Sequence, residues 1–204
     1  TFYKIYSAIA MAFLLVLSSA AQNPNGNWTI TGPIAFPTNI SGQIHGIGRV
    51  VQMKFHPTDP QKIYAVSASG GLWISADGGA SWSKTGTDYQ FPETQCASVC
   101  IDHSNPDIIY LSTGDPNYYN DKYGVYKSTD GGATWLPSSN GMDLRMAVEI
   151  LMHPFDHNTL TAATTDGIFK TTDGGANWVN VKAGGAFKDM VYQPGSSTVI
   201  FAVD

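Results

Sequence analysis

Short runs of apolar residues, each four to six residues long, recur along the chain from residue 46 onward. Residues 50–55, 62–66 and 71–74 are the first three runs, and turn-forming residues such as Pro57, Asp59 and Gly70 separate them. Short apolar runs bounded by turn residues predict β-strands. No segment after residue 21 has a convincing helical period, so the pattern predicts an all-β fold.

The predicted strands belong to a unit that repeats. The motif Ser/Thr-x-Asp-Gly-Gly-x-x-Trp begins at Ser75, Ser128 and Thr171, and a short apolar strand precedes each copy. Upstream of that strand lie two more, joined by a turn, and a fourth follows the Trp. Four strands, here A to D, in about 45 residues are the mark of a β-propeller blade. A two-sheet sandwich is the rival fold, but it does not require near-identical units.

We therefore predict a β-propeller fragment with three near-complete four-stranded blades and half of a fourth. The partial propeller is expected to span 46–204. Since the chain starts with Thr1 and ends within an apolar strand, we expect it to be truncated at both ends. The expected blades cover residues 46–95, 96–146, 147–186 and, incompletely, 187–204.

The first residues resemble an export signal. Residues 1–21 combine an early Lys4, a short apolar run and small residues before Gln22, which is the secretory signal pattern. A buried N-terminal helix is the alternative. Residues 22–45 are expected to be a lead-in to the propeller. The mature chain is then predicted to be secreted or displayed on the cell surface, with no membrane insertion after signal removal.

Composition and charge exclude some classes of protein and of binding partner. Hydrophobic residues make up 43% of the chain, enough for a real core, which excludes wholesale disorder. The net charge is -5 and no Lys/Arg cluster is present, which argues against nucleic acid or an anionic membrane as a partner. The two cysteines, Cys96 and Cys100, are predicted to be small core residues, because their spacing in a strand is too wide for a disulfide.

The repeated motif can build a turn from its own side chains. The Ser or Thr and the Asp can bond nearby backbone groups, the glycines allow positive φ, and the Trp forms an apolar plug. A structural role is predicted for its positions, with calcium binding or catalysis as the alternative for the Asp. The structural residues are Ser75, Asp77, Gly79, Trp82, Ser128, Asp130, Gly132, Trp135, Thr171, Asp173, Gly175 and Trp178.

The motif and its flanking strands resemble the Asp-box, or BNR, repeat of sialidases, sortilin-type receptor domains and xyloglucanase-like glycoside hydrolases. The resemblance covers about residues 46–204 and looks closest to the sortilin and xyloglucanase-like propellers. Such domains are common in large secreted bacterial proteins. The resemblance implies that the Asp-box is structural and lies away from the ligand face.

The long loop between strands B and C of the second unit is the candidate binding site. In a four-stranded meander this loop lies at the end opposite the C–D turns. It contains Asp115, Tyr118, Tyr119 and Asp121, which suit sugar binding because rings stack on sugar faces while carboxylates bond hydroxyls. Packing of the loop on a neighbouring blade is the alternative.

Whether the protein is an enzyme stays open from the sequence. A sialidase-type arginine triad is impossible with only Arg49 and Arg145. Xyloglucanase-like enzymes carry a catalytic aspartate in an early B–C loop, where this chain has Ser69. Asp115 and Asp166 are the remaining catalytic candidates, in the second and third units. No cofactor is expected. No metal site is expected either, because the histidines fall in the A–B turns of three different units and would not converge on one ion: His56, His103, and His153 with His157.

The leading interpretation is a secreted Asp-box propeller module that binds an extracellular polysaccharide or protein. The alternative is a xyloglucanase-like glycoside hydrolase acting on β-glucans, with catalytic residues partly outside this chain.

Overall fold

The computed structural model describes residues 49–117 and 123–204. The predicted signal peptide and lead-in lie outside these residues. Within them the chain consists of β-strands and one short helix, α1 (Thr87–Gln90). The strands are β1 (Val50–Phe55), β2 (Ile63–Ser67), β3 (Gly71–Ser75), β4 (Ser83–Lys84), β5 (Cys96–Ile101), β6 (Ile109–Thr113), β7 (Val125–Ser128), β8 (Leu136–Pro137), β9 (Ala147–His153), β10 (Asp156–Thr164), β11 (Gly167–Thr171), β12 (Val179–Ala183), β13 (Asp189–Tyr192) and β14 (Ile200–Val203).

The strands form antiparallel sheets in chain order. Three sheets have four strands each, β1 to β4, β5 to β8 and β9 to β12, and β13 pairs with β14 alone. Within each sheet, every strand after the first pairs with the one before it in the sequence, so each sheet is an up-and-down meander. The prediction of an all-β chain built from three four-stranded units and half of a fourth is confirmed.

The short helix corrects one expectation, because no helical segment was predicted after residue 21. It is a single turn that ends where Phe91 returns to extended backbone. Lys84 Nζ lies 2.8 Å from Asp88 Oδ2, and Thr85 Oγ1 bonds the Thr87 hydroxyl at 3.3 Å. A segment of four residues cannot show a helical period, so these local side-chain bonds are visible only in the structure.

The third unit also differs from expectation at its first turn. His153 and His157 were both predicted to lie in a turn, whereas β9 extends to His153 and β10 begins at Asp156, which pairs with His153. The register then shifts between Asp156 and Leu160. His157, predicted to lie in a turn, is therefore part of a strand. An irregular strand of this kind lacks clean alternation, which hides its start in the sequence.

The core lies between the faces of consecutive sheets. Side chains of the first two sheets form one cluster, and side chains of the second and third form another. Cys96 and Cys100 are buried within these clusters as free thiols, which agrees with their predicted role as small core residues. Among the described residues, no helix combines the length and apolarity needed to cross a bilayer. Large members of the two clusters are Tyr64, Leu72, Val99, Leu111 and Trp135, then Tyr110, Val125, Ile150, Phe169 and Trp178.

Candidate functional site

The three copies of the repeated motif form three closely similar turns, which we call the Asp-Gly-Gly turns (residues 75–82, 128–135 and 171–178). In the first, Asp77 Oδ1 accepts hydrogen bonds from the Ser75 hydroxyl and the Ser81 N–H, both at 2.8 Å. The Gly79 N–H donates to Ser75 Oγ at 2.8 Å. The corresponding bonds in the other two turns measure 2.7–3.1 Å.

These hydrogen bonds favour the ionised carboxylates. The side-chain bond from Ser81, followed by its backbone bond, lowers the pKa of Asp77 to about 2. The pKa values of Asp130 and Asp173 are lowered to about 2 by the matching bonds from Thr134 and Asn177. Both glycines of each turn have positive φ, as Gly78 (70°) and Gly79 (93°) show, so side chains are disfavoured there. The carboxylates are thus used within their own turns.

Each turn closes with its tryptophan, but the ring N–H has different acceptors. Trp135 Nε1 donates to the Gly132 carbonyl of its own turn at 3.0 Å. Trp178 Nε1 instead donates to the Ser138 carbonyl of the preceding unit at 2.8 Å. Within residues 49–117 and 123–204, no group of three or more His, Cys, Asp or Glu side chains is arranged to hold a metal ion.

A cleft of about 630 Å³ lies where the first strands of the four units begin. The register pairs Val50 with Ser67 and Ser67 with Gly71 at this end, whereas Phe55, Ile63 and Ser75 align at the end that carries the first Asp-Gly-Gly turn. The cleft therefore lies toward the strand ends opposite the turns. Its walls are Arg49, Val50, Val51, Gln52, Lys54, Ala97, Pro116, Asn117, Val148, Glu149, Lys188 and Asp189.

A polar cluster of the half-buried Gln52 and Lys54 and the buried Glu149 lies in the wall of the cleft. Glu149 is 6% exposed, and its Oε1 accepts a hydrogen bond from Lys54 Nζ at 2.9 Å. Gln52 Nε2 donates to Glu149 Oε2, while Gln52 Oε1 accepts the Val99 N–H at 2.7 Å. The cluster thus joins β1, β5 and β9. Burial raises the pKa of Glu149, and the charge of Lys54 partly opposes that effect.

Asp115, predicted to bind ligand, lies beside the cleft and is already paired. Its side chain is buried, and its Oδ1 accepts hydrogen bonds from Arg49 Nη2 at 2.6 Å and from the Asn117 N–H at 2.8 Å. The pair joins the start of β1 to the loop that follows β6. Tyr118, Tyr119 and Asp121 lie outside the described residues, so their part in a site stays a prediction.

Asp166 and Ser69 do not line the cleft. Asp166 lies in the turn between β10 and β11 with its side chain 59% exposed, and Arg145 Nη2 lies 3.0 Å from its Oδ2. Arg145 also pairs with Asp143 at 2.7 Å. Ser69 is exposed in the turn between β2 and β3, where its carbonyl accepts the Thr94 hydroxyl at 2.9 Å. The structure therefore keeps the two candidate carboxylates, Asp115 and Asp166, in separate ion pairs.

The Gln52–Lys54–Glu149 cluster was not predicted from the sequence. A signal was present, since Gln52 and Lys54 alternate with apolar residues in β1, and Glu149 lies between apolar neighbours in β9. All three side chains line the cleft and none belongs to the two core clusters. Gln52 and Glu149 each occupy the third position of the first strand of their unit, but the residue types differ, so no repeated motif marks them.

Comparison with known proteins supports the fold and gives one relative by sequence. No protein-family model matches the chain. A xyloglucanase from Paenibacillus sp. is 31% identical over 119 residues, a match that covers 48% of this chain and 11% of the relative. The matched part of the chain thus spans about a tenth of that enzyme's length.

Solved structures resemble the chain at low sequence identity. An ancestral GH74 enzyme has a TM-score of 0.60 at 22% identity, covering 80% of this chain and 22% of its own. The GH74 xyloglucanase from Xanthomonas campestris has a TM-score of 0.57 at 18% identity, covering 74% and 26%. An auxiliary nutrient binding protein from Bacteroides thetaiotaomicron also reaches 0.57, at 14% identity, covering 78% and 36%. These likenesses confirm the predicted β-propeller fold.

Proposed function

We propose that this chain is part of an extracellular β-propeller that binds polysaccharide in the cleft where β1, β5, β9 and β13 begin. The observation that carries the proposal is the lining of that cleft. Amide and carboxylate groups, including those of Asn117, Glu149 and Asp189, border one cavity of about 630 Å³. Such groups bond sugar hydroxyls, and the volume is within the usual range for ligand sites.

Two further observations support the proposal. The sequence relative is a xyloglucanase, an enzyme named for a polysaccharide. The cleft also lies away from the Asp-Gly-Gly turns, whose carboxylates each accept three hydrogen bonds within their own turn. We assign those turns as structural Asp-box repeats of the sortilin and xyloglucanase-like type. The proposal keeps the expected arrangement of a signal peptide (1–21), a lead-in (22–45) and a propeller region (46–204), in a secreted or surface protein.

Titration calorimetry of the full chain tests the binding function. Soluble xyloglucan and cellohexaose serve as neutral glycans, and polygalacturonate serves as an acidic one. We expect saturable binding of a neutral glycan and a several-fold loss of affinity in Asn117→Ala, which removes an exposed amide from the cleft. Thr58→Ala, in the turn between β1 and β2 at the opposite strand ends, is the control and should bind like the parent chain. No saturable binding of any of the three glycans would refute the proposal.

The second candidate function is glycoside hydrolysis, and the xyloglucanase relative is the observation that favours it. Inverting hydrolysis needs a general acid and a general base on opposite sides of the sugar. Release of reducing ends from xyloglucan by the full chain measures the activity directly. A double variant, Asp115→Asn with Asp166→Asn, decides whether these two carboxylates contribute. Unchanged hydrolysis in the double variant would exclude both residues.

A further inference from the structure

The Gln52–Lys54–Glu149 cluster places charge where the fold alone does not require it. Burying a carboxylate is costly, and even a paired buried charge is often no more stabilising than an apolar residue. Glu149 nevertheless lies at a position flanked by apolar residues in β9, with its side chain at the cleft wall. Its partners reach it from another sheet, since Lys54 and Gln52 both belong to β1. A costly carboxylate held by two side chains of a neighbouring strand at the wall of a cavity is the arrangement of a binding group.

The oxygens of Glu149 keep capacity for a ligand. Each carboxylate oxygen can accept two hydrogen bonds, and the described residues supply one to Oε1 from Lys54 and one to Oε2 from Gln52. One further acceptor position therefore remains on each oxygen. Gln52 is itself fixed, because its Oε1 accepts the Val99 N–H at 2.7 Å. The carboxylate is thus oriented before any ligand arrives, which lowers the entropy lost on binding.

The charges around the cleft balance. Arg49 pairs with Asp115 at 2.6 Å, Lys54 pairs with Glu149 at 2.9 Å, and Lys188 is followed directly by Asp189. No excess of positive charge is left among these groups to attract an acidic polymer, and an added carboxylate would face Glu149 and Asp189. The chemistry of the cleft therefore fits an uncharged ligand that offers hydroxyl donors.

We propose that Glu149 binds two neighbouring hydroxyl groups of a neutral glycan, one through each carboxylate oxygen, with Gln52 and Lys54 as the positioning residues. This inference rests on the polysaccharide-binding function proposed above and identifies Glu149 as a side chain that contacts the glycan. It also explains why β1 carries Gln52 and Lys54 among apolar residues: they hold the acceptor in place. Lys54, whose side chain is 36% exposed, can donate to the same ligand.

Calorimetry with xyloglucan compares the parent chain with Glu149→Gln and with Glu93→Gln. Both variants exchange the same carboxylate for an amide, but Glu93 is exposed and lies outside the cleft wall. We expect Glu149→Gln to lower affinity roughly tenfold to hundredfold, as loss of hydrogen bonds to a charged group does, and Glu93→Gln to leave it unchanged. Equal affinity of the parent chain and Glu149→Gln would overturn the inference while leaving the binding function intact. No binding by the parent chain would refute the binding function and, with it, this inference.

A pH series separates a binding role from a purely structural one. The groups that face Glu149 are Lys54 and Gln52 from β1, and Lys188 and Asp189 at the start of β13. Burial raises the pKa of Glu149, and the charge of Asp189 adds to that effect. If the ionised carboxylate binds the ligand, affinity falls as pH falls through that raised pKa. Lys54→Met removes the charge that opposes the shift, so the fall should move to higher pH although the carboxylate is retained. Binding that has the same pH dependence in the parent chain and in Lys54→Met would overturn the inference even if Glu149→Gln failed to fold.

Discussion

Two tyrosines at matching positions of consecutive units give the sharpest test of the packing. Tyr64 in β2 and Tyr110 in β6 are both buried, at 0% and 1% exposure. A lysine lies over each ring, Lys62 at 5.6 Å and Lys127 at 5.2 Å. The two residues differ at the hydroxyl. That of Tyr110 donates to the Gly174 carbonyl at 2.9 Å, whereas the buried hydroxyl of Tyr64 has no hydrogen-bond partner within the described part of the chain.

Replacing each tyrosine with phenylalanine should therefore have opposite effects. Tyr110→Phe loses one buried hydrogen bond, at about 1 kcal/mol, and the Gly174 carbonyl keeps its bond from Lys127 Nζ at 2.9 Å. Tyr64→Phe removes a buried hydroxyl without a partner, a gain of about 1 kcal/mol. Both variants keep the ring beneath its lysine. The two should differ by about 2 kcal/mol in the free energy of unfolding, or about 4–8 °C in Tm for a chain of this size.

Urea denaturation followed by tryptophan fluorescence measures both variants against the parent chain. The slope of the free energy of unfolding with urea should be the same in all three, so that the midpoints report stability. Equal destabilisation by the two variants would refute the reasoning. In that case the Tyr64 hydroxyl makes a hydrogen bond as valuable as that of Tyr110.

Three more predictions concern the turns and the thiols. The pKa values of Asp77, Asp130 and Asp173 are lowered from 3.8 to about 2, so the stability that these carboxylates contribute is complete above pH 4 and is lost as pH falls toward 2. Thermal melts should therefore show a drop in Tm between pH 4 and pH 2. The drop should be smaller in Asp130→Asn, which has one such carboxylate fewer. Gly175→Ala should destabilise the chain by about 2 kcal/mol or more, because the φ of Gly175 is 84° and the added Cβ would lie 2.5 Å from Ser138 Oγ. Gly184→Ala, at φ 69° with open space around it, should cost only about 1 kcal/mol of backbone strain. Equal losses of stability in urea denaturation would contradict this difference. Cys96 and Cys100 are buried, and burial raises the pKa of Cys100 to about 12, so neither thiol should react with Ellman's reagent at pH 8 until the chain unfolds.

Much of the fold could be predicted because its main signal is local and repeated. Each Asp-Gly-Gly turn is built from eight consecutive residues that bond one another, as the Ser75–Asp77–Ser81 bonds show. Those eight residues are therefore enough to predict the turn. The two features that were not predicted are local and occur in only one unit each. Helix α1 (Thr87–Gln90) depends on an ion pair within one unit, and the early start of β10 depends on an irregular register in one unit.

The site could not be predicted in the same way because its contacts join distant residues. Lys54 and Glu149 are 95 positions apart, and Arg49 and Asp115 are 66 apart. Which inner-strand side chains converge depends on the angle between successive sheets, which no local motif encodes. Asp115 was singled out as a carboxylate for ligand binding, and the structure shows a partner for it, Arg49, that its own loop does not reveal.

The bond from the Tyr110 hydroxyl to Gly174 has a consequence for how such a protein grows. The second unit carries the donor on its second strand, and the third unit carries the acceptor in its Asp-Gly-Gly turn. A duplicate of the second unit would carry the same donor, so it could make the same contact with the turn that follows it. The Tyr64 hydroxyl has no partner among the described residues, so the first and second units stay packed without this bond.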